Sequence, residues 1–255
     1  MFLKTLVAGS LTALVLAGCA STPGKKPLTE QERAELLLNV GNGSLMEGDP
    51  TGALQALLQS EAISPKMPEV HNSLALAYFA KKDYQLALKE AQTAVHLAPD
   101  YSDANNTLGK MYVDMGRYDQ GLPYLLKAAN NPLYRDAYKS LTNLGILFYR
   151  KGDFAHAATY FSKAIDANRD GSCVAHYYRG HLSLRAGDYA DAIRNYQEAT
   201  KKFCGGFADA HLAVGIVYER EKQYELARKT FLDVETRFPD SKVADEATQY
   251  LKGLP

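Results

Sequence analysis

The side chains best suited to chemistry are three cysteines and six histidines. Cys173 and Cys204 lie near His176 and His181 in the sequence, and thiolate sulfur and imidazole nitrogen both bind zinc. However, the two histidines are five residues apart, which directs them to different faces of a helix, and no fourth ligand is evident nearby. We therefore expect no metal site here, and no redox or other catalytic role.

The first cysteine belongs to a separate pattern at the N-terminus. Lys4 is followed by an apolar run over residues 6–17 and by the tetrapeptide LAGC, which ends at Cys19. The run is too short to span a bilayer, so residues 1–18 are expected to be a cleaved signal peptide. The tetrapeptide resembles the bacterial lipobox, which implies that Cys19 is acylated, for example with palmitate. An ordinary signal peptide is the alternative. Residues 19–33 would then be a lipidated cysteine and a flexible tether.

Export would also determine whether the other two cysteines are oxidised to a disulfide. An exported chain enters an oxidising compartment, and lipidation of Cys19 leaves Cys173 and Cys204 as a pair. A disulfide between them would close a loop worth roughly 2–4 kcal/mol in the chain-entropy picture. We expect this disulfide, with two free buried thiols as the alternative.

The elements that position these residues follow a repeat of 34 residues. In residues 68–101, small residues stand at repeat positions 8 and 20 (Ala75 and Ala87), Tyr78 stands at position 11 and Pro99 at position 32. Small residues let two antiparallel helices approach closely, and a proline ends the second helix. The pattern resembles the tetratricopeptide repeat (TPR), a helix-turn-helix unit.

The same frame fits the chain six times. The units are residues 34–67, 68–101, 102–135, 138–171, 173–206 and 208–241, and a similar turn sequence recurs in each, such as KGDFAHA and AGDYADA. We predict an all-α fold, a right-handed superhelical TPR solenoid of six helix-turn-helix repeats over residues 34–255 with a C-terminal capping helix.

Composition and motifs argue against two classes of function. The chain has 29 basic and 29 acidic residues, so it lacks the positive surface expected of a nucleic-acid-binding protein. It contains no HExxH, GxSxG or phosphate-binding glycine loop. Three histidines, His71, His176 and His211, share repeat position 4, where we expect packing residues. We predict a protein that is not an enzyme and needs no cofactor.

The predicted binding surface is the concave groove, which the first helix of each TPR unit lines. Asparagine recurs there in the first four units, and an amide can both donate to and accept from the backbone of an extended peptide. Apolar residues lie beside the amides, although some of them could instead belong to the core between repeats. The predicted groove residues are Leu38, Asn39, Asn42, Leu45, Asn72, Leu76, Phe79, Asn106, Lys110, Asn143, Ile146 and Tyr149.

The complete arrangement resembles the type IV pilus pilotin family. The resemblance rests on the lipobox, the tether, six TPR units and a final helix, and on two local features: the first repeat, which begins ERAELLLNVGNGSLMEGD, and the cysteine pair of the fifth. It implies an outer-membrane lipoprotein facing the periplasm that binds a secretin subunit and promotes its targeting and multimerisation.

Two other envelope roles stay open. The final unit, ARKTFLDVETRFPDSKVADEATQYL, resembles repeats of the TPR lipoprotein of the β-barrel assembly machinery. Adaptors that recruit peptidoglycan enzymes are a further class of lipidated TPR proteins. In all three cases we expect a protein partner in the groove and a membrane contact through the N-terminal lipid.

Overall fold

The computed structural model describes residues 27–255. The predicted signal peptide, Cys19 and the first part of the predicted tether lie outside these residues. Within them the chain forms thirteen α-helices and one short 3-10 helix, with no strand. This confirms the predicted all-α fold of six hairpins and a C-terminal helix.

The hairpins follow one another without other secondary structure, except for the 3-10 helix Lys202–Cys204 between α10 and α11. The six pairs are α1 (Glu30–Met46) with α2 (Pro50–Ile63), α3 (Pro68–Ala80) with α4 (Tyr84–Leu97), α5 (Ser102–Asp114) with α6 (Tyr118–Ala129), α7 (Ala137–Arg150) with α8 (Phe154–Ala167), α9 (Cys173–Ala186) with α10 (Tyr189–Glu198), and α11 (Ala208–Arg220) with α12 (Tyr224–Arg237). The last helix is α13 (Lys242–Gly253).

All six hairpins turn in the same way. The residue at repeat position 15 has a positive φ in each of them, and it is glycine four times (Gly48, Gly116, Gly152, Gly187) and lysine twice (Lys82, Lys222). The next residue is aspartate in four hairpins, and its carboxylate accepts a backbone N–H in the first turn of the second helix (Asp49, Asp83, Asp153, Asp188). A left-handed residue followed by a helix cap explains why this turn sequence recurs.

The two helices of a hairpin meet through complementary residues at positions 8 and 24. In five hairpins a glycine at position 8 faces a large side chain at position 24; the pairs are Gly41–Leu57, Gly109–Leu125, Gly145–Phe161, Gly180–Tyr196 and Gly215–Phe231. In the second hairpin both positions are alanine, and Ala75 and Ala91 are buried in one cluster. A larger residue at one position is thus matched by a smaller residue at the other, which lets the two helices pack closely.

Successive hairpins stack so that the first helices of the first five hairpins contact one another. Helices α1, α3, α5, α7 and α9 form a continuous row of this kind, and α13 packs on α12 and α11. The rings of Phe231 and Tyr250 stack with 5.1 Å between their centroids, which covers the apolar end of the sixth hairpin.

The first helix begins earlier than the repeat frame predicts. Helix α1 starts at Glu30, four residues before the predicted boundary at 34, so the predicted tether of residues 19–33 is too long. The cause is a capping box: the Thr29 side chain accepts the N–H of Glu32 (3.2 Å), and the Glu32 carboxylate accepts the N–H of Thr29 (2.7 Å).

A disulfide closes the fifth hairpin. Cys173 is the first residue of α9 and Cys204 the last residue of the 3-10 helix, and the structure joins their sulfurs with the Cα atoms 5.5 Å apart. It links the start of the hairpin to the segment that leads into the sixth.

Candidate functional site

Two adjacent depressions lie on the row of first helices, and together we call them the central groove. The first, of about 240 Å³, is lined by α3 and α5 and the second, of about 360 Å³, by α5, α7 and the turn before α9. Lys110, Asn106 and Lys139 line both depressions, so the two are continuous. The predicted groove residues found here are Asn72, Leu76, Phe79, Asn106, Lys110, Asn143 and Ile146.

The other predicted groove residues lie elsewhere. Leu38 lines a separate depression of about 710 Å³ between α1 and the α2–α3 turn, and Leu38 and Leu45 both pack against the core of the first two hairpins. Asn39 is exposed on α1. Tyr149 makes edge contacts with the rings of Phe154 (5.5 Å) and Tyr178 (5.1 Å). The predicted surface is therefore divided, and its central part spans α3 to α7.

The asparagine row has a second role that the repeat pattern did not reveal. Asn42 accepts a hydrogen bond from the Ser73 hydroxyl (2.7 Å), which joins α1 to α3. Asn106 accepts from the Ser140 hydroxyl (3.0 Å) and from the Asn143 amide (2.9 Å), which joins α5 to α7. The expectation that all these amides are free to bind a peptide is corrected: several of their polar atoms already connect neighbouring hairpins.

Asn72 differs from the other amides of the row. Its side chain is buried and lines the first depression, and its oxygen has no hydrogen-bond donor among the described residues. A buried acceptor without a donor costs about 1–3 kcal/mol. The oxygen itself is enclosed by neighbouring atoms, so it is not available to a ligand in the groove.

Two lysines paired with aspartates line the groove where its two depressions meet. The Lys110 ammonium lies 2.6 Å from the Asp114 carboxylate and 5.1 Å from the centre of the Phe79 ring. The Lys139 ammonium lies 2.5 Å from the Asp136 carboxylate. Burial alone would lower the pKa of Lys139, but the hydrogen bond to Asp136 and its charge outweigh burial, so the pKa is raised and the group stays charged.

Comparison with known protein families decides how this architecture is classified. A family model described as tetratricopeptide repeat matches residues 106–172 and 177–242, more than half of the chain, and a second model with the same description matches residues 68–101. The chain belongs to the tetratricopeptide repeat family. TPR proteins mediate protein–protein interaction, which agrees with a groove on the first helices.

Among individual TPR proteins, the chain is homologous to the type IV pilus assembly protein PilF of Pseudomonas aeruginosa. The two are 28% identical over 171 residues, which cover 65% of this chain and 67% of that protein. The fold is similar to the crystal structure of PilW, described as a widely conserved type IV pilus biogenesis factor (TM-score 0.70, 18% identity, 84% of this chain and 98% of that chain). It is equally similar to the solved structure of P. aeruginosa PilF (TM-score 0.70, 22% identity, 87% and 99%). At these identities the structural likeness shows the TPR fold.

Lys139 is one of the residues that line the groove but were not predicted from the sequence. It occupies position 2 of its TPR unit, and position 2 is one of the positions that line the groove in TPR proteins. The repeat frame therefore contained the information needed to find it. Asp103, which also lines the first depression, is position 2 of the preceding unit.

The TPR position-4 residues carry hydrogen bonds between loop and helix. His71 Nε2 lies 2.9 Å from the backbone oxygen of Pro65, the Asn105 amide donates to Pro99 (2.8 Å), and His211 Nε2 lies 3.2 Å from the oxygen of Gly205. In each case the carbonyl belongs to the loop six residues earlier. These side chains thus satisfy a carbonyl before each first helix, in addition to packing.

Membrane-spanning character is not found among the TPR helices. In residues 27–255, no helix is both long enough and apolar enough to cross a bilayer.

Proposed function

We propose that this TPR protein is a pilotin: a lipid-anchored outer-membrane protein, facing the periplasm, that promotes secretin multimerisation in type IV pilus biogenesis. The observation that carries the proposal is the homology to PilF, which extends over 171 residues and is accompanied by a fold similar to PilF and PilW. The LAGC tetrapeptide ending at Cys19 supports lipid anchoring.

The central groove supplies a binding mode for the secretin subunit. Leu76 and Ile146 offer apolar contacts to the side chains of the bound segment. Lys110 and Lys139 add positive charge where the two depressions meet. Tethering by lipid would hold scaffold and client on one membrane surface and so raise their effective concentration.

Substitution of Leu76 tests this proposal. Its side chain is 40% exposed and lines the groove, so Leu76→Glu places a charge in the apolar contact without filling the core. We expect at least about a tenfold loss of affinity for the purified secretin subunit, since a buried unpaired charge at an interface costs more than 1.4 kcal/mol. Titration calorimetry measures the affinity, and SDS-resistant secretin multimers in cells report the consequence.

Leu58→Glu is the matched control. Leu58 is 44% exposed on α2, a second helix, and does not line the central groove. We expect the Leu58→Glu protein to bind the secretin subunit normally and to support multimers. Equal affinity of the two variants would place the binding site outside the groove. If loss of the whole protein lowered all outer-membrane proteins rather than secretin multimers, a role in β-barrel assembly would replace the one proposed.

A further inference from the structure

Three ionisable side chains from three helices converge between the first and second hairpins. They are Glu61 of α2, His71 of α3 and Glu90 of α4, and one ligand atom from each lies within 4.8 Å of the others. His71 Nδ1 is 2.7 Å from Glu90 Oε2 and 3.9 Å from Glu61 Oε1. His71 and Glu90 are buried, whereas the Glu61 side chain is 32% exposed.

The hydrogen bond made by His71 Nε2 determines whether Nδ1, the ring nitrogen that faces the carboxylates, carries a proton in the neutral ring. His71 Nε2 lies 2.9 Å from the backbone oxygen of Pro65, and a carbonyl oxygen can only accept, so Nε2 carries a proton. In the neutral ring, Nδ1 then holds a lone pair that points at the Glu90 carboxylate. The 2.7 Å separation is that of a hydrogen bond, so in the metal-free protein a second proton lies between Nδ1 and the Glu90 carboxylate. A metal ion bound by both atoms would replace this proton and separate them to about 3.3 Å, a small side-chain adjustment.

The charges around the site favour an ion of charge two. With a proton on Nδ1, the imidazolium and the two carboxylates sum to one negative charge. With a divalent ion and a neutral ring they sum to zero. The nearest other cation is Lys89, whose ammonium is 4.0 Å from Glu90 Oε1 and largely exposed to solvent. The phenol of Tyr78 lies close enough for both carboxylates to help raise its pKa, after burial itself.

We propose that Glu61, His71 and Glu90 form a binding site for a divalent transition-metal ion, with zinc the best fit. One imidazole nitrogen and two carboxylate oxygens are ligands that zinc accepts, and a fourth position is left for water. The Pro65 carbonyl accepts the hydrogen bond of Nε2 and so fixes the tautomer and orientation of the ring. Backbone carbonyls often orient metal-binding histidines in this way. The exposed side of Glu61 provides the entry path. The bound ion would clamp α2 to α3 and α4, and hence the first hairpin to the second.

The sequence provides no local motif for this site. The three residues are separated by ten and nineteen positions, and no pair lies on one helix. They meet because the turn between α2 and α3 brings the end of one hairpin against the start of the next.

The test measures zinc binding by the full-length chain without a polyhistidine tag, by titration calorimetry with zinc chloride. We expect one ion per chain. In His71→Asn, the amide can still donate to the Pro65 carbonyl, as Asn105 does to Pro99 one repeat later, so the fold is kept while Nδ1 is lost. This variant should not bind zinc at the site. Glu61→Gln should bind at least about tenfold more weakly.

His211→Asn is the matched control. His211 also stands at position 4 and also lies against a loop carbonyl, but it belongs to no such cluster among the described residues. It should leave zinc stoichiometry, affinity and the zinc-dependent rise in Tm unchanged. The proposal is overturned if the parent chain takes up no zinc, or if His71→Asn and Glu61→Gln bind it as the parent does. Should His71→Asn lose its helical circular dichroism, Glu61→Gln decides.

Discussion

At position 4 of the TPR unit, polar side chains have different roles in different hairpins. It is polar in four of the six hairpins, and in three of these the side chain serves the carbonyl of the preceding loop. His176 is the fourth. It is 4% exposed, and neither of its ring nitrogens makes a hydrogen bond of normal geometry among the described residues, although the backbone of Arg169 lies close enough to favour the charged ring slightly. Burial lowers the pKa of His176 from its ordinary value of 6.5, despite the opposing charge of Glu198.

This predicts that His176 makes the protein sensitive to acid. Well above pH 6.5 the ring is neutral in both the folded and unfolded states, so it adds no pH dependence there. Below that pH the unfolded chain takes up a proton while the folded chain resists, because the pKa of His176 is lower in the folded state. His176 should therefore lower the free energy of unfolding as the pH falls from 7 to 5, whereas His71, whose pKa is raised by its hydrogen bond to Glu90, acts in the opposite direction. The parent should lose stability relative to His176→Phe over this range. Urea denaturation at pH 7, 6 and 5 measures it.

The comparison at pH 7 provides the control for this experiment. Any difference there between His176→Phe and the parent reflects packing of the new ring, and is subtracted from the values at lower pH. His181 and His211 also have pKa values lowered by burial, so part of the acid sensitivity should persist in the variant. Identical pH dependence in the two proteins would contradict the prediction.

At the scale of the hairpin, positions 8 and 24 behave as one unit of packing. A glycine at position 8 always accompanies a large residue at position 24, and the second hairpin replaces the combination with two alanines. The repeat frame in the sequence predicted the small residue at position 8 correctly, because the spacing of such positions depends only on the geometry of two antiparallel helices. It did not predict the start of α1, because the Thr29–Glu32 capping box acts locally and lies outside the repeat.

The third hairpin provides a test of this coupling. In Gly109→Ala the added Cβ would lie 2.6 Å from Leu125 Cγ and 3.1 Å from the backbone oxygen of Gly121. We expect a loss of about 1–3 kcal/mol from overpacking, and about 2–5 kcal/mol for Leu125→Ala from the cavity it leaves. The double variant reproduces the pair of the second hairpin, so it should be more stable than the sum of the two changes implies. Urea denaturation gives all four free energies.

A coupling energy of at least about 0.5 kcal/mol in the favourable direction is expected from this cycle. The four proteins share one chain and one method, so each single variant is the control for the other. Strict additivity would mean that the two helices adjust independently and that the paired sizes have no energetic meaning.

At the scale of the molecule, the solenoid is built from contacts between neighbours. The sequence was enough to predict this architecture, since six copies of one pattern leave few alternatives. It was not enough to predict the Glu61–His71–Glu90 cluster or the hydrogen bonds among the groove asparagines, because these depend on how adjacent hairpins dock. The periodic pattern describes what each unit shares, whereas these features arise from what differs between units.

The proposed membrane anchor is also a property of the whole molecule, and it predicts the effect of Cys19→Ala. Without acyl chains the TPR domain should leave the membrane fraction and collect in the soluble periplasm, because stable anchoring requires the buried hydrocarbon of the lipid. Fractionation of cells followed by immunoblotting measures the distribution. Cys204→Ala is the control, since it also removes a cysteine but breaks only the disulfide of the fifth hairpin, and it should stay with the membrane. Membrane retention of Cys19→Ala would contradict the lipobox interpretation.

The disulfide of the fifth hairpin has a mechanical consequence. If the molecule were pulled from its two ends, tension would pass through the bond between Cys173 and Cys204 and bypass the chain between them, which spans a sequence separation of 31. An extended chain gains about 3.3–3.6 Å per residue, so the oxidised protein would stretch roughly 100 Å less than the reduced one. The solenoid would therefore yield at its other hairpins while the fifth stayed inextensible.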